Sequence, residues 1–382
     1  MRFSDFVTLQ RGFDLTKSDM CNGPYPVIGS TSIIGYHQEF KVEPPGVTTG
    51  RSGSLGVVQY VAERFWPHNT SLWVKDFKGN DPKFVYYCMQ GVDFARFNAG
   101  AGVPTLNRNH LDTLEVQVPP LHMQQRIAGI LSTYDELIEN SQRRIKILEA
   151  MARGIYREWF VHFRFPGHEN HPRVASALGE IPQGWKVRKI GELIQFKSGF
   201  AFKSGTFTAY GEHRLVTIKN VQDGSFNPES DSRMDALPER LPPYCVLEDG
   251  DILLSLTGNV GRVCLVFDSP FLLNQRVAKL VPVSALDRAL TYCMFRDPEM
   301  RTRLELLSNG VAQQNLSPVL ASQMEFVCPP RHLLVQFSSF AEPILNSVVG
   351  LHTKIQNLRR TRDLLLPRLL SGQINVEAAE HV

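Results

Sequence analysis

Side chains able to pair with the edges of nucleobases gather in short loops of this chain. Arg51 and Ser52 stand in TGRSGS, Asn69 and Thr70 in WPHNTS, and Asn107, Arg108 and Asn109 in LNRNH. Further along come Lys219 and Asn220, then Asn259 and Arg262, then Asn274, Gln275 and Arg276, then Gln313, Gln314 and Asn315. Arg offers a planar fork to guanine, and Asn or Gln a donor–acceptor pair to adenine, in the major groove. One such cluster is an ordinary polar loop; recurrence at matching places in the chain points to readout of bases.

No catalytic constellation accompanies these clusters. The sequence contains no GxxxxGK[ST] phosphate loop, no HExxH and no GxSxG elbow. NGPY at 22–25 resembles the Asn/Asp-Pro-Pro-Tyr loop of amino-methyltransferases, but Gly23 replaces the first proline and only 21 residues precede it. It reads as a turn feeding a strand at YPVIGS. His68, His110 and His122 are scattered, and Asp135–Glu136 beside Tyr134 reads as a solvated helix face. The six cysteines, at 21, 88, 245, 264, 293 and 328, include no CxxC pair and read as free thiols of a reducing compartment. No metal site is expected.

The elements that must hold these loops are written twice. VPPLHMQQRI at 118–127 is echoed by CPPRHLLVQF at 328–337, with Pro119 and Pro329 separated by 210 residues. After the first pair, Ile127, Leu131, Tyr134, Ile138, Ser141, Ile145, Leu148, Ala152, Ile155 and Trp159 alternate steps of four and three. That is a heptad seam, which keeps one stripe facing a partner helix. Adding 210 gives Phe337, Ala341, Ile344, Val348, Leu351, Ile355, Leu358, Arg362, Leu365 and Leu369, broken only at Arg362. Each seam implies a helix roughly 50 Å long at about 1.5 Å per residue. Two such stripes of equal length and phase most simply bury each other. Pro343 and Pro367 are expected to weaken or kink the second helix.

The stretches before each helix repeat as well. VTTGRSGSLGVVQYV (47–61) matches LSLTGNVGRVCLVF (254–267), with Gly50 and Gly53 lying 208 residues before Gly258 and Gly261. GVPTLN (102–107) matches GVAQQN (310–315), and LQRGFDL (9–15) matches FKSGFAF (196–202) at a spacing of 187. The second copy therefore carries about 21 extra residues between 200 and 258. The expected organisation is a globular lobe at 1–118, a long helix at 119–164, a Pro/Gly/His-rich linker at 165–180, a second lobe at 181–327, a second long helix at 328–376 and a tail at 377–382. The fold class is α+β: two mixed α/β lobes, each followed by a long helix, the helices packed as an antiparallel coiled coil with pseudo-two-fold symmetry.

A hydrophobic fraction of 43% supports real cores, and 382 residues exceed one domain. There is no secretory signal at MRFSDFVTLQRGF and no apolar run near the ~18 residues of a membrane span. The net charge is +3, but it is unevenly shared. Residues 122–164 hold seven Lys/Arg against five Asp/Glu, and 331–375 hold six against two, so the helices carry +6 and the rest −3. Stretches with no positive surplus make a poor footprint for a protein that grips DNA unaided. They suit one that works inside a larger complex.

Taken in order, these segments resemble the specificity subunit of type I restriction–modification systems. YPVIGSTSIIGYHQEF followed by PPGVTTGRSGSLGVV is in the style of that family's target recognition domain. PPLHMQQRIAGILSTYDELIENSQRRIKILEAMARGIYREWF looks like its central helical region, LGEIPQGWKVRKIGEL like the opening of its second recognition domain, and LRRTRDLLLPRLLSGQI like its closing helix. The first lobe lacks the Pro-x-Gly-Trp preamble found at 182–185, so it is expected to lack an edge element. The resemblance implies a prokaryotic cytoplasmic chain without catalytic residues, whose two recognition domains each read half of a split double-stranded DNA target. It also implies two modification subunits, carrying S-adenosylmethionine and methylating adenine, and restriction subunits using ATP and Mg²⁺. Two other classes fit parts of the sequence: a free-standing DNA methyltransferase or nuclease, and a helical assembly protein that never touches DNA.

Overall fold

A computed structural model describes residues 1–100, 102–308, 314–374 and 376. The chain divides into two compact units, Met1–Ile138 with Leu358–Val382, and Glu139–Asn357. Each unit is thus one lobe together with parts of both long helices.

In the first unit a sheet orders its strands Thr8–Arg11, Ser71–Asp76, Gly46–Gly50 and Val58–Val61, all antiparallel. A smaller sheet pairs Tyr25–Ile28 with Ile33–His37 and, in parallel, with Trp66–Pro67. The helix Pro82–Gln90 starts where Asp81 accepts the Phe84 N–H at 2.8 Å and Pro82 takes the first turn. It buries Phe84, Val85 and Met89 in a core shared with Phe6, Leu72, Ile127, Leu131 and Leu369. Gln124 fastens the first long helix to this lobe: it accepts the Asp81 N–H at 2.9 Å and donates to Asn80 at 2.8 Å and to the Pro119 carbonyl at 2.9 Å.

The second unit repeats the plan. Its main sheet runs Ile194–Ser198, Val277–Pro282, Ile252–Ser255 and Val263–Leu265, the same order by chain position as in the first unit. Its second sheet also contains a parallel pair, His213–Val216 with Phe271–Leu273. The duplication read from the sequence is therefore a duplication of topology. Matching glycines confirm the register. A Cβ on Gly12 would lie 2.1 Å from the His68 carbonyl oxygen, and one on Gly199 would lie 2.4 Å from that of Asn274. Neither position can hold another residue without moving backbone.

The long helices are Leu121–Tyr156, continued by a π-turn at Arg157–Val161, and Arg331–Leu370. Every seam position is buried or half-buried, from Ile127, Leu131, Tyr134, Ile138, Ile145, Leu148, Ile155 and Trp159 to Phe337, Ile344, Val348, Leu351, Ile355, Leu358, Leu365 and Leu369. Within the first unit, Asp135 of the first helix meets Arg362 of the second at 2.5 Å. Within the second unit, Trp159 and Phe160 meet Phe337, with ring centroids 6.1 and 4.9 Å apart.

Four expectations are corrected. Pro343 and Pro367 do not interrupt the second helix; both are exposed, as are Ser339 and Asp363 four residues earlier, whose carbonyls each lose an N–H partner. The second helix stops at Leu370, not 376: Gly372 turns at φ +70° and its N–H returns to Leu369, while Val376 is buried in the first unit's core. The linker is folded. Arg173–Ser176 and Gly179–Pro182 form a hairpin, and Phe165 packs on Trp185 with centroids 5.3 Å apart. Asp135 is not a solvated carboxylate, as described below, whereas Glu136 is exposed. The missing edge element is visible. Where the second unit pairs Lys186–Lys189 with Glu325–Cys328, the first has a single bridge, Arg2 to Glu115.

Candidate nucleic-acid interface

In the first unit the strand Gly46–Gly50 runs out into a loop held from two sides. Arg51 donates its N–H to the Thr70 carbonyl at 2.8 Å, Ser52 does so at 3.1 Å, and the Arg51 carbonyl accepts from Leu106 at 2.8 Å. The turn at 68–70 and the segment at 104–108 are thereby drawn to one place. Around it opens a cleft of about 690 Å³ lined by Arg11, Asp14, Arg51, Asn107 and Arg108. Asn69 reaches the same cleft rim by donating to Asp14. Arg108 is exposed and spends one donor on the Leu9 carbonyl at 3.2 Å, and Asn107 is exposed and caps a short turn through Asn109. Thr70 is taken up locally, with its hydroxyl 2.8 Å from His68 Nδ1. Six candidate residues, Arg51, Ser52, Asn69, Thr70, Asn107 and Arg108, thus converge from three separated loops.

The charges of the cleft favour a polyanion. Arg11, Arg51 and Arg108 outnumber Asp14 three to one. Donation from Asn69, with Arg11 beside it, holds the Asp14 carboxyl below its ordinary range, so it stays ionised at neutral pH. Arg11 and Gln10 were absent from the sequence candidates. Their signal lay in LQRGFDL, where a polar pair precedes a glycine that the His68 turn crowds.

The second unit builds the same clamp. Leu256 donates to the Arg276 carbonyl at 3.0 Å and accepts from Leu316 at 2.8 Å, and Gly258 donates to the Gln314 carbonyl at 3.1 Å. The side chains of Gln275, Arg276, Gln314, Asn315 and Asn259 are exposed around this corner. Gln313 lies outside the described residues. Lys219 is exposed on a neighbouring turn, with an ion pair to Asp231 at 3.5 Å between two solvated side chains. Two candidates are not free to read bases. Asn220 is buried; it accepts from Thr217 at 2.8 Å and donates to the Asn227 and Glu229 carbonyls at 2.9 and 2.7 Å, which fixes the turn. Asn274 is likewise buried. Arg262 is half-buried and gives Nη1 to Gln222 at 2.5 Å.

The sequence profile described as "Type I restriction modification DNA specificity domain" matches residues 1–150 and 182–319. The chain belongs to this family. Both matched segments contain one of the two clamped corners, so the family assignment and the duplicated geometry coincide. Among curated relatives, the type I restriction enzyme MjaIX specificity subunit of Methanocaldococcus jannaschii is 24% identical over 77% of this chain and 69% of its own length. The MjaVIII specificity subunit of the same organism is 27% identical over 73% and 66%. The crystal structure of the S subunit of a type I restriction–modification system from M. genitalium superimposes with a TM-score of 0.63 over 97% of this chain and 95% of that one, at 19% identity. It shares the fold.

Outside the cleft, sequence reading missed the polar nodes that bind lobe to helix. Tyr87, on the lobe helix, donates to Asp135 at 2.6 Å, and Asp135 also takes Arg362. Burial, and then that hydrogen bond, push the Tyr87 hydroxyl above its usual range. In the second unit Tyr292 donates to Glu149 at 2.5 Å, Arg157 pairs with Asp297 at 2.6 Å, and Arg288 pairs with Glu342 at 2.5 Å. The shared Tyr-Cys-Met at 87–89 and 292–294 is the signal that could have found them. No helix among the described residues is long and apolar enough to cross a membrane.

Proposed function

We propose that this chain is the DNA sequence-specificity subunit of a type I restriction–modification complex in a prokaryotic cytoplasm. Each lobe reads one half of a bipartite double-stranded target. The long helices set the spacer between the halves and dock two modification subunits, which bring S-adenosylmethionine to adenine. Restriction subunits supply the ATP- and Mg²⁺-dependent steps. The chain itself contributes no catalytic residue.

The observation that carries this reading is the pair of matching clamps, each presenting Arg, Asn or Gln side chains at the end of a sheet strand. A clamped loop holds a base-reading side chain in place before DNA arrives, which lowers the ordering cost of binding. Two copies with different side chains suit two half-sites of different sequence. The helices then act as a ruler, since half-sites must fall at defined angles around a duplex whose turn is about 34 Å.

The test is single-molecule sequencing of methylated adenine in cells expressing this chain with its partner subunits. Arg51→Ala with Arg108→Ala is expected to alter or abolish one half-site, and Gln314→Ala with Asn315→Ala the other. Removing one bidentate pairing with a base costs about 1–3 kcal/mol of discrimination. Unchanged methylation in both variants, with the complex still assembled, would leave the chain as an assembly protein only.

A further inference from the structure

Ile33 and Ile34 form an exposed apolar pair in the first unit, 47% and 45% exposed respectively. They begin the outer strand of the smaller sheet, Ile33–His37. The register explains why two consecutive isoleucines are both bare. Val27 pairs with Gly35 and Ile28 with Ile33, so Ile34 is an extra residue in the ladder. That is a β-bulge, which suspends the alternation of faces and re-aims side chains. The turn before it is fixed. Gly29 donates to the Ser32 carbonyl at 2.9 Å, and Gln59 donates to the Gly29 carbonyl at 3.0 Å.

This turn sits at the arginine cleft. A Cβ on Gly50, the residue before Arg51, would lie 2.8 Å from the Ser30 carbonyl oxygen. The His68 N–H and the Ser71 hydroxyl both donate to the Ile28 carbonyl, at 2.9 and 3.2 Å, tying the hairpin to the turn that carries Asn69 and Thr70. The corresponding corner of the second unit has the same packing with other chemistry. There Ile218 lies against Gly258, its Cδ1 3.5 Å from where a Cβ would be, and the next residue is the solvated Lys219. One lobe therefore offers a cation at this corner, and the other an apolar pair on the turn packed against the residue before Arg51.

Resting on the proposed DNA-reading role, we propose that Ile33 and Ile34 contact thymine 5-methyl groups in the major groove of the half-site read by the first lobe. The methyl group is the one apolar feature a base pair shows in that groove. An apolar tip whose turn packs against Gly50, next to Arg51 of the cleft, suits a duplex, whose phosphates border its base edges, better than an uncharged protein surface.

The experiment uses the complex assembled with its modification subunits and duplexes carrying the methylated target. Thymines in the first lobe's half-site are replaced one at a time by deoxyuridine, which lacks only the methyl. A half-site methylated on adenine always contains a thymine opposite it. For the wild-type complex at least one replacement is expected to weaken binding roughly fourfold, the value of one buried methyl group. With Ile33→Ser and Ile34→Ser that sensitivity should vanish, the salt dependence should hold because every phosphate keeps its partner, and the other half-site should be unaffected. A wild-type complex indifferent to deoxyuridine at every position overturns the proposal. So does an Ile33→Ser/Ile34→Ser complex that keeps the deoxyuridine sensitivity, or a variant chain that no longer assembles with the modification subunits, which would make the pair a protein contact. Arg51→Ala and Arg108→Ala separate the two levels. If they leave DNA reading intact, the reading role itself fails; if they abolish the half-site while the deoxyuridine scan is flat, only the methyl contact fails.

Discussion

Replacing Asp135 by alanine strands two groups at once. Tyr87, buried in the lobe core, loses the acceptor 2.6 Å from its hydroxyl, and Arg362 loses a carboxylate at 2.5 Å. A hydrogen bond to a charged group contributes about 1.5–3 kcal/mol, and breaking a fully buried ion pair costs about 3–5. The Arg362 and Asp135 side chains keep 23% and 31% of their surface in water, and Arg362 retains Asp363 at 2.8 Å, which puts this site at the low end. The expected loss is about 2–3 kcal/mol, confined to the first unit. Hydrogen exchange followed by mass spectrometry reads it by region. Peptides covering 82–90 and 358–370 should exchange roughly 30- to 140-fold faster, at about 1.4 kcal/mol per tenfold, while those from the second unit keep their protection. The reverse experiment sharpens the claim. Asp135→Leu, Arg362→Leu and Tyr87→Phe together make the node apolar and close the gap in the second seam, so stability should return to near the wild-type value. Acceleration below threefold in Asp135→Ala, or equal acceleration in both units, would refute the idea that this node fastens the lobe to its helices.

Inserting four residues, about one helical turn, into both long helices is expected to lengthen the spacer of the methylated target and leave both half-sites intact; an unchanged spacer in the methylome would remove the ruler. Gly12→Ala should unfold the first lobe's reading corner because its Cβ meets the His68 carbonyl oxygen at 2.1 Å, and Gly199→Ala should do the same in the second, where Asn274 lies at 2.4 Å; circular dichroism melts lowered by several degrees would show it. Native alkylation should modify Cys21, which is exposed, and leave Cys245, Cys264, Cys293 and Cys328 unlabelled. Cys88 should also react slowly, since burial pushes its thiol up to about 12; peptide mapping reads all six.

The duplication and both seams were legible because they are periodic, and periodicity survives whatever the loops do. Leu131 and Phe337 are fully buried where the heptad places them. What the sequence could not show is which polar residues turn inward. Asn220 and Gln314 look alike in a string; the first is consumed by three backbone and side-chain partners, and the second points out, because the chain folds back around one and not the other. Asp135 and Arg362 are 227 residues apart, so no local pattern joins them. A base inside one seam calls for an acid beside the other, and that rule could have paired them. The prolines of the second helix misled for a related reason: a lost N–H matters little on the exposed side of a helix, where Pro343 and Pro367 lie.

The distribution of charge gives the reading lobes a particular character. Outside the two long helical stretches the chain sums to −3, while the first unit's cleft gathers three arginines about one aspartate. Non-specific attraction to DNA grows with the number of phosphates neutralised, whereas discrimination comes from base-edge contacts. A lobe that is neutral in sum, as residues 1–121 are with eleven Lys/Arg against eleven Asp/Glu, and gathers cations at one clamped corner has little sliding affinity for arbitrary duplex and keeps little affinity when the corner is mismatched. Affinity must then come from surfaces that follow the backbone, and the helical stretches hold the chain's basic surplus of +6. Dividing the labour this way keeps the ratio of specific to non-specific binding high. It also makes one prediction of sign: basic substitutions at exposed positions of the lobes outside the clamped corners should tighten DNA binding by the complex at low salt while eroding the contrast between target and non-target sequences.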